Sequence, residues 1–353
     1  MKDSSASNVD NPSDTRGDTR CGTVTIVGRP NVGKSTLLNR LIGQKLSITA
    51  HKPQTTRHTI LGVNTRDNIQ AIYLDTPGIH LHGKRALNQV LNRTAANALH
   101  GVDVIVMVVQ AMVWNEHDER VLAMVNHALS QAEQELPVYL FVNKVDLVNR
   151  KDDILPFLSN LPLPTATHDG SGESGDKAID HPVEVIPGSA RQQTAVDTLE
   201  SAIFAKLPPG DFVYANDELT DRSSRFLAAE HVREQLTRQL SDELPYALTV
   251  EIEQFVEEAG LMRIGAVVWV EKESQKSIVI GKGGEKLKAV GSRARQSMET
   301  LFGQKVFLQL WVRVKAGWAD DERALHSLGY EVRGEEATSA ATNLARKSSQ
   351  SGN

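Results

Sequence analysis

The eight residues Gly28-Arg29-Pro30-Asn31-Val32-Gly33-Lys34-Ser35 constrain this chain more than any other feature. They fit the pattern G-x-x-x-x-G-K-[ST] and stand between an apolar run, Thr23–Val27, and a stretch of helical spacing, Gly33–Ile42. Glycines let backbone N–H groups curl around phosphate oxygens without Cβ clashes. The helix N-terminus that follows adds its positive dipole end. Lys34 is expected to reach the outer phosphates and Ser35 to bind Mg2+, with Thr36 beside it among the nucleotide-contacting residues.

Strand–helix alternation continues downstream. Ala71–Leu74, Val102–Ala111, Pro137–Val142 and Glu184–Ile186 are predicted strands, and Glu116–Ala132 and Ala195–Lys206 predicted helices. Val102–Ala111 is almost wholly apolar, as expected of a parallel strand buried on both faces. The alternation predicts an α/β domain with a doubly wound, mostly parallel sheet. Such sheets bind ligands outside the carboxyl ends of their strands, and three further motifs fall there. Asp75-Thr76-Pro77-Gly78 offers a carboxylate for the Mg2+ shell, usually through water, and a backbone N–H for the terminal phosphate. In Asn143-Lys144-Val145-Asp146, the Asp146 carboxylate can accept from guanine N1–H and the 2-amino group; adenine offers neither donor. Ser189-Ala190 is placed to present a backbone N–H to guanine O6. The set points to GTP or GDP with Mg2+, and Asn143 and Asp146 oppose an ATPase. In Ras-like switches a Gln after D-x-x-G orients the attacking water; Ile79 cannot, so intrinsic hydrolysis is expected to be slow.

Residues 165–182 are polar and Gly/Ser/Asp-rich, and read as a flexible insertion in a first domain spanning 22–209. Leu207-Pro208-Pro209-Gly210 ends that domain and opens a linker, 210–219. A second domain, 220–330, begins with a helix near Asp221–Leu240 and continues with strands near Ala247–Phe255 and Ile264–Val270. A short strand, Ser277–Ile280, is expected to run into the turn Gly281-Lys282-Gly283-Gly284. A helix, Glu285–Leu301, a strand, Lys305–Lys315, and a short helix, Asp320–Leu328, complete it. The turn is a G-x-x-G loop of the kind with which KH domains clamp four nucleotides. Its glycines admit phosphates, Lys282 adds charge, and Lys286, Lys288, Arg293 and Arg295 line the helix behind it. The chain's net charge of −5 hides this contrast: Leu219–Glu258 holds four Arg against nine acids, Ala259–Trp318 eleven Lys or Arg against four.

In order and detail these motifs resemble the Era family of GTPases. Gln54-Thr55-Thr56-Arg57-His58 resembles that family's first switch; Asp221–Phe255, Ser277–Arg295 and Phe302–Tyr330 are similar to its C-terminal half. The resemblance runs from about Gly22 to Tyr330. It implies a type II KH domain, αββααβ, and a Thr that completes the Mg2+ shell in the triphosphate state: Thr56, with Thr55 as the alternative. Lys34, Asn31, Thr56 and Gly78 are then the residues expected to act at the reacting phosphate. Related loops use their Asn to help hold a K+ ion; Asn31 matches that position, and a turn-stabilising role is the other reading. The resemblance further implies a cytoplasmic GTPase that binds the 3′ region of small-subunit (16S) ribosomal RNA, acts in 30S subunit assembly and associates peripherally with the inner membrane face. A monomer is expected. The chain departs from the family in its N-terminal tail, the 165–182 insertion, Pro187-Gly188 where Pro-Ile is usual, and a polar tail after Tyr330.

Composition fits this reading. No run of eighteen apolar residues offers a membrane span, and the polar stretch Met1–Arg20 is no signal peptide. Residues 1–21 and 331–353 read as disordered tails. The single Cys21 suits a reducing compartment. A GTPase of another class, whose second domain binds protein, is the competing function; the G-x-x-G loop and its basic flank favour RNA.

Overall fold

The computed structural model describes residues 19–50, 52, 55–78, 86–166, 181–240 and 244–327. Gln54, Ile79, most of the expected insertion, most of the expected N-terminal tail and all of the expected C-terminal tail lie outside the described residues. The first domain holds a six-stranded sheet built from β1 (Arg20–Val27), β2 (Ile60–Arg66), β3 (Ile69–Asp75), β4 (Val104–Gln110), β5 (Val138–Asn143) and β6 (Val183–Pro187). Its order is β2-β3-β1-β4-β5-β6; β2 pairs antiparallel with β3 and all other pairs are parallel. Helices α1 (Lys34–Ile42), α2 (Ala86–Asn97), α3 (Glu116–Ser130), α4 (Ile154–Ser159) and α5 (Gln193–Lys206) make the connections. Apolar clusters lie on both sheet faces: Leu37, Leu38 and Leu199 pack against β1 on one, Val121 and Val125 against β4 and β5 on the other. Residues 104–109 of β4 are buried throughout, which explains their unbroken apolar run. β1 begins at Arg20, inside the stretch expected to be tail, because Arg20 and Cys21 pair with Ile69 and Gln70.

The linker is a strap. The Gln70 carboxamide oxygen accepts from the N–H of Val213 and Tyr214, and its amide donates to the Tyr214 carbonyl, each at 2.9 Å. Farther along, Val63 N–H donates to the Leu219 carbonyl at 2.8 Å.

The second domain runs α6 (Ser224–Gln239), β7 (Leu248–Glu258), β8 (Leu261–Val270), α7 (Glu273–Ile280), α8 (Glu285–Phe302) and β9 (Lys305–Val314), an αββααβ order, then α9 (Glu322–Ser327). β7 and β8 pair antiparallel, β8 and β9 parallel. α6 and α8 cover one sheet face, burying Val232, Leu236, Val290 and Met298 against Ile264, Ala266 and Val312. The expected strand Ser277–Ile280 is instead the second half of α7. Its β-branched residues read as a strand, but only Val279 is buried, as a helix on a core allows. The Gln275 side chain also accepts from the N–H of Glu271 and Lys272 at 2.8 and 3.0 Å, satisfying donors ahead of the helix.

Candidate nucleotide site and its junction with the second domain

All four nucleotide motifs open onto one cavity of about 1360 Å3. Gly33, Lys34, Ser35 and Thr36 line it at the phosphate end, with Thr56 and Gly78; Asn143, Lys144, Asp146, Ser189 and Ala190 line the other end. Gly33 is held at φ 111°, and a Cβ there would stand 2.2 Å from Asn143 Nδ2. Only glycine lets the loop pass this close to the base motif. Asn143 then ties the two ends together: its Nδ2 donates to the Val32 carbonyl at 2.6 Å, and its Oδ1 accepts from the N–H of Lys144 and of Ala190, each at 2.8 Å. Of the backbone N–H groups that Ser189-Ala190 offers, that of Ala190 is thus engaged by Asn143 here. Lys144 Nζ donates to the Asn31 carbonyl at 2.7 Å and to Gln110 Oε1 at 3.0 Å. Asn31 sits at φ 64°, a left-handed turn position that Asn tolerates. Gly188, the departure after Pro187, leaves room for α5: a Cβ there would lie 2.6 Å from the Ala195 Cβ.

Lys34 is buried and donates to the carbonyls of Gly28 and Arg29 at 2.8 and 3.0 Å. Burial pulls its pKa down to about 8, against the pull of nearby Asp75. The Arg29 side chain turns away from the cavity: its Nε donates to both carboxylate oxygens of Asp118, at 3.1 and 2.9 Å. Asp118 also accepts from the N–H of Asn115, so one carboxylate caps α3 and anchors the phosphate loop.

The donor set suits Mg2+. Ser35 Oγ and Thr56 Oγ1 lie 2.8 Å apart. Thr55, the alternative, points elsewhere: its hydroxyl donates to the Lys52 carbonyl at 2.6 Å. Asp75 is fully buried; Ser47 Oγ donates to its Oδ2 at 2.7 Å, and its Oδ1 has no hydrogen-bond partner among the described residues. Burial pushes the Asp75 pKa up, and Lys34 and the hydroxyls of Ser35, Ser47 and Thr56 oppose that. A divalent cation beside this carboxylate would relieve the burial. Among the described residues no cluster of three His, Cys, Asp or Glu side chains is assembled to hold a metal, so the remaining ligands would be phosphate oxygens and water, as Mg2+ prefers. Gly78 lies against the phosphate loop: a Cβ on it would fall 2.9 Å from Pro30.

Sequence reasoning missed Ser47, Asp118 and the charged face of α6. Thr237 and Arg238 of α6 line the same cavity as the phosphate loop. Glu234, buried, accepts from Thr49 N–H at 3.0 Å and pairs with Lys45 and Arg238 at 2.5 and 2.9 Å. Arg233, also buried, pairs with Glu230 and donates to the Thr55 carbonyl. Arg57 Nη1 donates to the Leu248 carbonyl at 2.7 Å, and the His58 ring meets Phe226 edge-on at 5.2 Å. Burial lowers the His58 pKa to about 4. The stretch resembling a first switch is therefore seated on α6. A second contact joins Leu87, Val90 and Leu91 of α2 to Trp318, Ala319 and Leu325 around α9. No motif marks these residues; the only available signal was the density of charge on a helix that also carries core positions.

At the G-x-x-G turn, Gly283 and Gly284 sit at φ 60° and 81°, with no atom within 4 Å of where a Cβ would be. Lys282, Lys286, Lys288 and Arg293 are exposed around this open turn, whereas Arg295 is half-buried and pairs with Glu299 at 3.1 Å.

A phosphate loop, a magnesium-suited carboxylate and a guanine motif on a doubly wound sheet, followed by an αββααβ domain with a G-x-x-G turn, define a P-loop GTPase joined to a KH domain. Comparison agrees: residues 23–144 match the family described as 50S ribosome-binding GTPase, and residues 243–319 the KH domain. GTPase Era of Pseudomonas aeruginosa PAO1 is 50% identical over 313 residues, 88% of this chain and 95% of that protein. GTPase Era of Azotobacter vinelandii is 50% identical over 88% of this chain and 97% of its own. A solved variant of Aquifex aeolicus Era bound to GDP·AlF4− superposes with a TM-score of 0.77 at 34% identity, covering 88% of this chain and 99% of that one. Era in complex with MgGDPNP and nucleotides 1506–1542 of 16S ribosomal RNA gives 0.78 at 34% identity, covering 89% and 99%. The chain belongs to the GTPase Era family.

Proposed function

We propose that this GTPase is a switch in small-subunit ribosome assembly: it holds the 3′ region of 16S rRNA on its KH domain and uses GTP hydrolysis to let go. The observation that carries the reading is the shared cavity, lined by the phosphate loop and guanine motif on one side and by α6 of the KH domain on the other. The RNA partner is supported by the likeness to Era solved with 16S rRNA nucleotides, and by the open basic turn Gly281–Gly284.

In this reading Lys34 binds the β- and γ-phosphates. Ser35 and Thr56 ligate Mg2+, and Asp75 holds its shell through water. The Gly78 N–H meets the γ-phosphate, and Asp146 reads guanine. Asn31 helps hold a K+ ion where other GTPases place an arginine finger. Lys282, Lys286, Lys288 and Arg293 contact RNA phosphates. The working units are 22–209 and 220–330, joined by the strap 210–219. The 30S subunit as the assembled partner, a monomeric state and a cytoplasmic place with peripheral membrane contact follow from the family resemblance. Among the described residues no helix is long and apolar enough to cross a membrane.

The test is GTP hydrolysis with and without RNA from the 3′ end of small-subunit rRNA, in K+ and in Na+ buffers. RNA stimulation, weakening steeply with salt, supports the coupled switch; equal rates in K+ and Na+ would remove Asn31 from catalysis. Hydrolysis indifferent to RNA, with no RNA bound, would return the second domain to a protein-binding role.

A further inference from the structure

Among the described residues, no element of the KH domain covers the face of its sheet turned away from α6 and α8. Along β9, Val306, Leu308, Leu310 and Val312 face the helices. The alternate residues Lys305, Phe307, Gln309, Trp311 and Arg313 are exposed on the other side. Phe307 is 44% and Trp311 41% exposed, high values for large apolar side chains. Trp269 of β8, directly across from Arg313 in register, adds a third aromatic to this face.

The Trp311 ring lies across its neighbouring strand. A Cβ on Gly265 of β8 would stand 3.0 Å from its Cζ3 and 3.4 Å from its Cη2. The missing side chain lets the indole lie over the sheet, where it can offer a flat surface to solvent. Cations interleave with the rings: Arg263 sits 5.6 Å from the Phe307 centroid, and Arg313 and Lys315 sit 5.9 and 6.0 Å from that of Trp269. From Lys305 to Lys315 there is no acid. The acids of this face, Glu251, Glu253 and Glu258, start from β7 and reach inward: Glu251 accepts from Trp269 Nε1, Glu258 pairs with Arg263 of β8, and Glu253 pairs with Arg313 of β9. β9 is thus a basic, aromatic edge strand. It is also the strand against which α7 and α8 pack, the two helices joined by the Gly281–Gly284 turn.

We propose that this outer face is a second RNA contact, which takes unpaired bases of single-stranded RNA by stacking on Trp311 and Phe307. Lys305 and Lys315 meet the accompanying phosphates. Sheet-borne aromatics beside basic groups are how single strands are held without base pairing. Phe307 and Trp311, four residues apart on this face, stand ~13 Å apart along the strand, so an extended RNA would stack non-adjacent bases on them. The proposal rests on the RNA-binding reading of the KH domain, since the same RNA strand would leave the G-x-x-G turn and pass over the β9 edge.

The experiment uses the full chain and fluorescently labelled single-stranded RNA in two lengths. One has about four nucleotides, the number that a G-x-x-G loop clamps; the other is about three times as long. The double variant Phe307→Ala, Trp311→Ala should bind the longer RNA more weakly, by about 5- to 150-fold per base lost. It should bind the shorter one as before and keep its GTP hydrolysis. The salt dependence of binding should not change, because stacking releases no counterions, and Trp311→Phe should restore most of the Trp311 share. Unchanged affinity for the longer RNA would overturn the proposal. So would an equal loss for both lengths, which would mark a folding effect. Lost binding to 30S subunits with every RNA affinity intact would assign the face to a protein partner and also overturn it. Lys282→Asp with Gly283→Asp separates the two readings: if that variant keeps its RNA and the aromatic variant does not, the G-x-x-G assignment falls and this one stands.

Discussion

Glu234→Ala tests whether α6 of the KH domain holds the segment that leads to Thr56. The carboxylate accepts the Thr49 N–H at 3.0 Å and pairs with Lys45 and Arg238 at 2.5 and 2.9 Å. A hydrogen bond from a backbone N–H to a buried charge is worth about 1.5–3 kcal/mol. The Lys45 and Arg238 side chains are 38% and 45% exposed, so solvent screening leaves each ion pair about 0.2–1 kcal/mol. Removing the carboxylate should loosen the junction by about 2–5 kcal/mol, or about 30- to 4000-fold in the local opening equilibrium. Residue-resolved hydrogen exchange reads this directly and contains its own control. The Thr49 amide is held by Glu234, whereas the neighbouring Leu46 and Ser47 amides are held by Asn39 Oδ1, at 2.9 and 2.8 Å, within the GTPase domain. Thr49 should exchange faster in the variant while Leu46 and Ser47 stay protected. If the three amides respond alike, or none responds, α6 is not what holds this segment.

Three other outcomes are expected. Asp146→Asn should shift preference from guanosine to xanthosine nucleotides, because the exchanged donor matches xanthine O2; competition binding with the two diphosphates checks it, and unchanged GDP affinity would refute the role. Ser47→Ala removes the hydroxyl that donates to Asp75 Oδ2 and should weaken Mg2+ binding in the GDP complex by about 10-fold, as losses behind a metal site do; a magnesium titration followed by a fluorescent GDP analogue measures it. Burial lowers the pKa of His231, which is 1% exposed, to about 4. The folded chain keeps this ring neutral while the unfolded chain protonates it below 6.5, so the stability is present above that pH and falls towards pH 4. The loss is roughly 3 kcal/mol, and urea unfolding across that range should show it, with a shallower acid limb in His231→Gln.

What the sequence made legible divides along physical lines. The phosphate loop, D-x-x-G and N-K-x-D were readable because their chemistry sits in consecutive residues at strand ends, and the continuous apolar run of β4 could hardly lie anywhere but mid-sheet. The edge strand β2 gave no such signal, because Gly62, Asn64 and Thr65 interrupt its apolar residues. Ser277–Ile280 was misread because four residues cannot separate a period of 2.0 from one of 3.6; burial of Val279 alone settles it. Thr55 and Thr56 are alike in the sequence, whereas the fold turns one hydroxyl to the Lys52 carbonyl and the other to Ser35. Ser47 meets Asp75 across 28 residues, and no local pattern records a contact of that range.

The same reasoning explains why α6 buries so much charge. Its apolar residues Ala228, Val232 and Leu236 belong to the KH core. Glu230, Arg233, Glu234 and Gln235 are buried as well, several of them against the GTPase domain. An apolar junction of that size would stay closed, because exposing it to water costs in proportion to area. A junction of paired charges and backbone carbonyls is near balance, since water can replace each partner when it opens. The contact between α2 and α9 is the apolar counterpart, built from Leu87, Val90, Leu91, Trp318 and Leu325. The segment carrying Thr56 thus meets the KH domain through releasable polar contacts, while the helix beyond Gly78 meets it through grease. If a bound nucleotide orders Thr56, it would stabilise the polar contact, and, by reciprocity, an RNA that favoured that placement of α6 would tighten the nucleotide site by the same factor.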